Sequence, residues 1–242
     1  FTHRRVDPDS ALCYQIARLV KIIASGDIPP AVAYLLISGG ITALHKTDKV
    51  VQAATTAAGG KHLLRSINSG STFLKQGLKC MTKHSSFERV KEALGIVQYG
   101  LGYRGGPEVM AHLSRSLGAQ GYAINTQDAI KGFHMLTRQS VLDGVSHVWP
   151  DANQQFTTCY GPPAPCLYPY PDAEGNIVYR VSFSTEGTRA GCVLGSAGFD
   201  ISLHHFVYKH LNTEYEEHVI RALTDDMPSF FRADSDEEWH AE

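Results

Sequence analysis

The feature that most restricts the fold of this chain is a change of local pattern at Trp149-Pro150. Before it, apolar residues recur every three or four positions, as they do on one face of a helix. After it come a proline-dense segment, 159–171, and a run of β-branched and aromatic residues, 177–184, that indicates a strand. Because proline has no N–H group, 159–171 is predicted to form neither a helix nor a central strand.

This pattern predicts an α+β fold. A mainly helical N-terminal region packs with a smaller C-terminal region that contains a β-hairpin or a small antiparallel sheet. Residues 191–194 are expected to pair with 177–184 in the hairpin, and 126–139 are expected to form a helix. At 242 residues, the chain is long enough to bury a core without help from a metal or a disulfide.

Charge divides the chain at nearly the same place. The net charge is −2, but 17 of the 22 Lys+Arg lie in residues 1–140 and 16 of the 24 Asp+Glu lie in 141–242. We therefore predict a basic helical region over 1–148 and an acidic β-containing region over 149–242, as two units or one continuous domain. A basic surface of this kind attracts phosphate backbones, anionic lipid or the acidic half of the chain.

Two neighbouring stretches predict a tight helical hairpin over 31–60. Residues 28–44 carry no charge, and 50–60 consist mostly of small residues, which allow helices to approach closely. The uncharged stretch is short for a transmembrane span, which needs about 20 apolar residues, so a buried core helix is favoured. The turn of the hairpin is expected near 45–48.

The strongest candidate for a binding surface is a cationic helix. Lys75, Lys79 and Lys83 recur every four residues and form one stripe, while Phe73 and Leu74 belong to its apolar side. Such helices bind anionic membranes, and they also occur as the solvated faces of helical bundles. The candidate membrane-binding or anion-binding residues are Lys61, Arg65, Phe73, Leu74, Lys75, Lys79 and Lys83.

The five cysteines contain no CxxC pair, so a zinc ribbon is not expected. In an oxidising compartment, Cys159, Cys166 and Cys192 are the disulfide candidates, since the first two flank the proline-rich turn. In a reducing compartment the cysteines would serve as small apolar residues. No histidine spacing matches a known zinc pattern, so neither a metal site nor a cofactor is predicted.

Catalytic motifs are not evident in the sequence. Residues 195–198 lack the G-x-S-x-G elbow of hydrolases, and the glycines of 100–106 do not form G-x-G-x-x-G. Pairing of Cys192 with His204 or His205 would give a Cys/His hydrolase. No catalytic residue is assigned, and a protein without enzymatic activity is favoured.

Three function hypotheses follow. The favoured one is a processed, secreted, toxin-like protein that binds anionic membranes through the cationic helix and the uncharged hairpin; its start at Phe1 rather than Met is the reason to expect processing. The second is a self-assembling shell, filament or nucleoprotein subunit joined by its oppositely charged halves. Nucleic acid is a less favoured partner than a membrane or a second copy, because the basic stretch has few aromatic residues to stack on bases. The third is the Cys/His hydrolase.

Overall fold

The computed structural model describes residues 10–45, 64–95, 97–128, 132–214 and 219–232. Its fold is α+β, as predicted, with helices packed around two small sheets. The helices are α1 (Ala11–Ser25), α2 (Pro30–Ile37), α3 (Thr72–Met81), α4 (Glu88–Leu94), α5 (Gly106–Ala119), α6 (Gly132–Met135), α7 (Arg138–Val148), α8 (Asn153–Tyr160), α9 (Gly195–Leu203) and α10 (Lys209–Glu214). The strands are β1 (Gly39–His45), β2 (Leu64–Gly70), β3 (Ala123–Asp128), β4 (Ala164–Pro171), β5 (Ile177–Ser184), β6 (Val219–Ile220) and β7 (Asp226–Phe231).

The strands form a four-stranded sheet in the order β2-β1-β4-β5 and a three-stranded sheet in the order β3-β7-β6. The second sheet is antiparallel throughout. In the first, β1 is antiparallel to β2, β4 is antiparallel to β5, and β1 meets β4 in a short parallel contact. Strand β5 belongs to a β-hairpin, as predicted, but the predicted partner is wrong, because β5 pairs with β4 and residues 191–194 form a turn before α9.

The proline-dense segment includes the end of helix α8 and a central strand, so the prediction for 159–171 is wrong: Cys159 and Tyr160 are helical, and Ala164–Pro171 form β4. Strand β4 lies between β1 and β5. Its prolines Pro165, Pro169 and Pro171 are all odd-numbered, and the N–H groups of alternate residues in a strand point to the same edge. All the missing donors thus fall along one edge of β4. The ladder with β1 involves only Cys166 and Leu167 of β4, so the edge of β4 that faces β1 requires few backbone N–H donors.

The predicted helical hairpin over 31–60 is also wrong. Helix α2 ends at Ile37, and the next residues enter strand β1, which pairs with β2 from Gly39 opposite Gly70 to His45 opposite Leu64. Pairing with a strand distant in the sequence therefore overrides the local helical pattern. Residues 46–60 of the prediction lie outside the described residues. In the described part of the chain no single helix is long and apolar enough to span a membrane, and α1 with α2 meets that test only as a pair bent by 95°.

One continuous core joins the two sides of Trp149. Buried residues that contact one another include Ile23 and Leu78 from the N-terminal side and Phe156 and Ile201 from the C-terminal side. The Trp149 indole lies in this core, where Nε1 donates a hydrogen bond to Ser86 Oγ at 3.0 Å.

Helix α3 confirms the predicted cationic helix over most of its length. Its close approach to α1 depends on Gly77, because a Cβ atom there would lie 2.5 Å from Ile23 Cγ2.

The predicted helix over 126–139 is wrong in part, since its start belongs to strand β3.

Candidate carboxylate site

Three aspartates lie close together in the backbone at one end of the three-stranded sheet, where β3 ends and β7 begins. Strands β3 and β7 run antiparallel, and the register places Asp128 directly opposite Asp226. Opposed residues in such a ladder have Cα atoms about 4.5–5.5 Å apart and share a face of the sheet. Asp225 immediately precedes Asp226, in the turn that leads into β7. Acidic residues from distant parts of the sequence thus converge at the end of β3.

The turn that carries Asp225 is tight and strained. Leu223 N donates to Asp226 O at 2.8 Å, and Asp226 N donates to Leu223 O at 3.2 Å, so Thr224 and Asp225 form the tip. Thr224 has φ 60°, a left-handed conformation that it alone adopts among the non-glycine residues of the described ranges. For a β-branched residue this costs about 1–3 kcal/mol, and the conformation persists only where the surroundings hold it.

A buried glutamine holds this turn. Gln98 is fully buried, and its Oε1 accepts hydrogen bonds from Thr224 N and Gly100 N, both at 2.8 Å. Its Nε2 lies 3.4 Å from Thr224 O and donates to Asp200 Oδ1 at 3.2 Å. Gly100 allows the close approach, because a Cβ there would lie 2.3 Å from Thr224 Oγ1. One amide side chain therefore contacts both backbone polar groups of the strained residue.

A fourth aspartate lies buried behind the turn. Asp200 is fully buried on α9, and its Oδ2 has no hydrogen-bond partner. Burial, and then the charge of Asp225, raises the pKa of Asp200 well above its ordinary value. Burial raises the pKa of Tyr208 as well, with further contributions from Asp200 and Asp225. Negative charge is thus unfavourable here unless a cation balances it.

The donors at this site suit a hard divalent cation. Carboxylate oxygens are the ligands that Mg²⁺ prefers, and Asp128, Asp225 and Asp226 each carry a carboxyl group. Among the side chains that the structure describes, which do not include that of Asp128, no group of three His, Cys, Asp or Glu is placed to hold a metal ion. The register of β3 with β7 and the turn at Thr224-Asp225 are the features that bring the three aspartates together.

A polar cleft of about 260 Å³ lies beside the four-stranded sheet. His134 of α6 contributes to its lining, and α6 follows β3 closely in the sequence. The loop after β5 packs on the same helix, since Thr188 N donates to Phe133 O at 2.6 Å. Polar lining residues include Asn68, Ser184, Glu186 and Arg189.

The residues predicted for membrane or anion binding are spread over several environments. On α3, Lys75 is half-buried, Lys79 is exposed and Leu74 is buried in the core. Lys83 is exposed and lies in the turn after the helix, while Phe73 is 50% exposed. Lys61 lies outside the described residues, as does the side chain of Arg65.

The prediction of a disulfide is wrong. All five cysteines are free thiols, and Cys159 and Cys166 are buried, with Gln155 Nε2 3.5 Å from Cys159 Sγ and Asn68 Nδ2 3.3 Å from Cys166 Sγ. These two residues thus serve as small core side chains, the alternative expected of a reducing compartment.

The residues of the hydrolase hypothesis occupy different settings. Cys192 lies beside the phenol of Tyr160, and the ring of His205 stacks on that of His147 with centroids 4.6 Å apart. No observation tests the catalytic pairing of Cys192 with a histidine, and it stays a prediction.

The carboxylate site escaped the sequence analysis, although a local signal was present. Asp225-Asp226 stands between 219–223, which is mostly apolar, and 227–231, which ends in two phenylalanines, a pattern that indicates two short strands joined by an acidic turn. The interpretation of 126–139 as a helix removed Asp128 from consideration as a residue at a strand end.

No family model and no curated protein matches this sequence. Solved structures do share its fold. Telomerase from Candida albicans, in complex with the TWJ fragment of telomeric RNA, aligns with a TM-score of 0.51 at 12% identity, over 85% of this chain and 40% of that one. Telomerase from Candida tropicalis, in complex with the same kind of fragment, aligns with a TM-score of 0.50 at 12% identity, over 84% of this chain and 37% of that one. This chain thus spans well under half the length of either telomerase chain.

The cysteines are free thiols and the helices pack around two sheets, so the description of the chain as a disulfide-bonded helical bundle is wrong. The fold is similar to that of telomerase chains and gives no support to a toxin. Secretion and the binding of anionic membranes are tested by no observation and stay predictions.

Proposed function

We propose that this protein binds nucleic acid and catalyses divalent-cation-dependent addition of nucleotides to a strand end. The residues that would hold the cation are Asp128, Asp225 and Asp226. The observation that carries the proposal is the register that sets Asp128 opposite Asp226, with Asp225 in the adjoining strained turn. Strained residues cluster at active sites, where the surrounding structure maintains them.

Carboxylates at such a site act by positioning charge. A bound divalent cation would neutralise phosphate oxygens and lower the pKa of an attacking hydroxyl group. The aspartates would fix that cation at the edge of the sheet, where the end of β3 meets the start of β7. Gln98 and Gly100 would keep the turn that presents Asp225 and Asp226 in one conformation.

Two further observations support nucleic acid as the partner. Both telomerase structures to which this fold is similar contain telomeric RNA. In addition, 17 of the 22 Lys+Arg lie in residues 1–140, and clustered basic residues attract the phosphate backbone in a sequence-independent way.

The first test measures cation binding and catalysis on the same protein. Mn²⁺ binding would be followed by electron paramagnetic resonance, and extension of a DNA primer on an RNA template by gel electrophoresis, with Mg²⁺ or Mn²⁺ present. Asp225→Asn and Asp226→Asn should weaken Mn²⁺ binding by at least about 100-fold, because they remove direct ligands, whereas loss of an outer partner costs about 10–100-fold. Extension of the primer should decrease in the same variants, because it depends on the bound cation.

The matched control is Asp172→Asn, in the turn between β4 and β5. Asp172 Oδ1 accepts a hydrogen bond from Asn176 N at 2.7 Å, which an asparagine oxygen can also accept, and this variant should behave as the wild type. Wild-type protein that neither binds Mn²⁺ nor extends the primer would overturn the proposal. Shortening of the primer would replace nucleotide addition with nuclease activity at the same carboxylates.

Self-association through the oppositely charged halves stays a prediction. Light scattering at low and high salt tests it, because charge pairing between subunits weakens as salt screens it.

A further inference from the structure

We propose that Gln98 is the positioning residue of the carboxylate site: its buried amide locks Thr224 in the left-handed conformation that presents Asp225 and Asp226. The inference rests on the proposed function for its consequence in cation binding. The clamp itself stands on the geometry alone, and the two can be tested separately.

The contacts of Gln98 are unusual in being concentrated on one residue. Its Oε1 accepts from Thr224 N at 2.8 Å and its Nε2 lies 3.4 Å from Thr224 O, so both backbone polar groups of Thr224 face one amide. Threonine disfavours φ 60°, and an external clamp is what such a conformation requires. The reciprocal hydrogen bonds of Leu223 and Asp226 close a two-residue hairpin loop, which requires positive φ at Thr224, and the amide of Gln98 stabilises that conformation in a residue type that disfavours it.

Two further residues keep the amide of Gln98 in its orientation. Gly100 N donates to Oε1 at 2.8 Å, and Asp200 Oδ1 accepts from Nε2 at 3.2 Å. The oxygen of the amide faces the N–H donor of Gly100, and its nitrogen faces the oxygen acceptor of Asp200. A flipped amide would place donor against donor and acceptor against acceptor, so the observed orientation is favoured. Asp200 lies on α9, and the clamp thus ties the acidic turn to the helical core.

The backbone pairing of this region strengthens the connection. Tyr99 N donates to Ala222 O and Ala222 N donates to Val97 O, both at 2.7 Å. Residues on either side of Gln98 therefore run beside the strand that enters the turn. The segment around Gln98 and the Thr224 turn form one hydrogen-bonded unit.

The test uses Gln98→Met, which keeps the length of the side chain and removes its hydrogen bonds. Mn²⁺ affinity, measured by electron paramagnetic resonance, should fall by about 10-fold, the lower end of the range for partners that orient ligands. Hydrogen exchange at Thr224 and Gly100 should accelerate. Gln155→Met is the matched control, since Gln155 is also buried but its Nε2 contacts Cys159 on α8. Because Gln155 Oε1 is buried without a hydrogen-bond partner, this variant should be close to neutral for stability and should leave Mn²⁺ affinity unchanged.

A second substitution separates positioning from general stability. Glycine adopts positive φ without strain, so Thr224→Gly should make the clamp less necessary. In that background, Gln98→Met should weaken Mn²⁺ binding by less than about 3-fold, compared with about 10-fold in the wild-type background. A merely structural role for Gln98 predicts the same loss in both backgrounds, and that result would overturn the inference.

Failure of the proposed function gives a different result. If the wild-type protein binds no Mn²⁺, the carboxylate site is not a cation site, and exchange at Thr224 and Gly100 then decides the clamp. Unchanged exchange of both amides in Gln98→Met would disprove it.

Discussion

Arg138 and Arg189 both donate hydrogen bonds to carbonyl groups at the C-terminal end of helix α8. Arg138 Nη1 lies 3.2 Å from Tyr160 O, and Arg189 Nη2 lies 3.1 Å from Cys159 O. Burial, and then the charge of Arg189, lowers the pKa of Arg138. The partial negative charge at a helix C-terminus favours cations and offsets part of that repulsion. Two like charges can therefore be buried in one part of the core.

This arrangement makes Arg189 important for stability. Its Nη1 also donates to Ile37 O at 2.6 Å, so Arg189→Met would leave two buried carbonyl groups without their donor. At about 1–3 kcal/mol for each stranded group, the free energy of unfolding should fall by about 2–6 kcal/mol in urea titrations. Arg180→Met is the control, because Arg180 is exposed and its guanidinium lies 3.9 Å from the centroid of the Tyr170 ring. Equal losses in the two variants would contradict the role of the buried hydrogen bonds.

The contact between α1 and α3 makes a second prediction. Alanine is a better helix former than glycine by about 1 kcal/mol, but a Cβ at Gly77 would lie 2.5 Å from Ile23 Cγ2. We expect Gly77→Ala to destabilise the protein, because overpacking costs about 1–3 kcal/mol and outweighs the gain in helix propensity. Gly118→Ala in α5 is the matched control: a Cβ there meets nothing within 4 Å, so this variant should be more stable. Thermal denaturation of both variants checks the sign, and stabilisation by both would contradict the packing argument.

Local rules predicted the elements whose signals lie within one segment. Helix α1 follows its apolar spacing and ends at Gly26, which has φ 73°, and strand β5 follows its β-branched and aromatic residues. Strand β1 could not be predicted in this way, because it pairs with β2 and with β4, which lies much further along the chain. Strand β4 pairs with the neighbouring β5, but its prolines hid the local signal of a strand. In β4, pairing on both sides outweighs the presence of prolines.

The carboxylate site depends on the same distant pairing. The pair Asp225-Asp226 is visible in the sequence, but its relation to Asp128 exists only through the register of β3 with β7. The role of Gln98 is still less accessible, since a glutamine between Val97 and Tyr99 carries no signal of burial. Only the fold shows that it contacts Thr224.

The cysteines should differ sharply in reactivity. Cys80 is exposed, whereas burial, with a further contribution from Cys192, raises the pKa of Cys159 to about 12. The thiolate is the reactive form, so iodoacetamide near neutral pH should alkylate Cys80 quickly and Cys159 only after denaturation. Mass spectrometry of digested protein gives both rates. Denatured protein that was never reduced should accept label at all five cysteines, and a shortfall would indicate a disulfide.

His204 should make stability depend on pH. Its Nδ1 is buried without a hydrogen-bond partner, and burial, followed by the charges of His205 and Lys209, lowers the pKa of His204 below its ordinary value of 6.5. Between the folded and unfolded pKa values the unfolded chain binds more protons. The contribution of the neutral imidazole is therefore present above 6.5 and is lost as the pH falls from there towards the folded pKa.

His204→Gln should remove this dependence. Between about pH 7.5 and 5.5, where histidine titrates, the urea midpoint of the wild type should fall more than that of the variant. Burial also lowers the pKa of His205, so His205 contributes to the slope of the wild type and of the variant. The comparison with the variant isolates His204. His112→Gln, at an exposed position on α5, is the control and should follow the wild type. Parallel curves for the wild type and His204→Gln would show that protonation of His204 does not oppose folding.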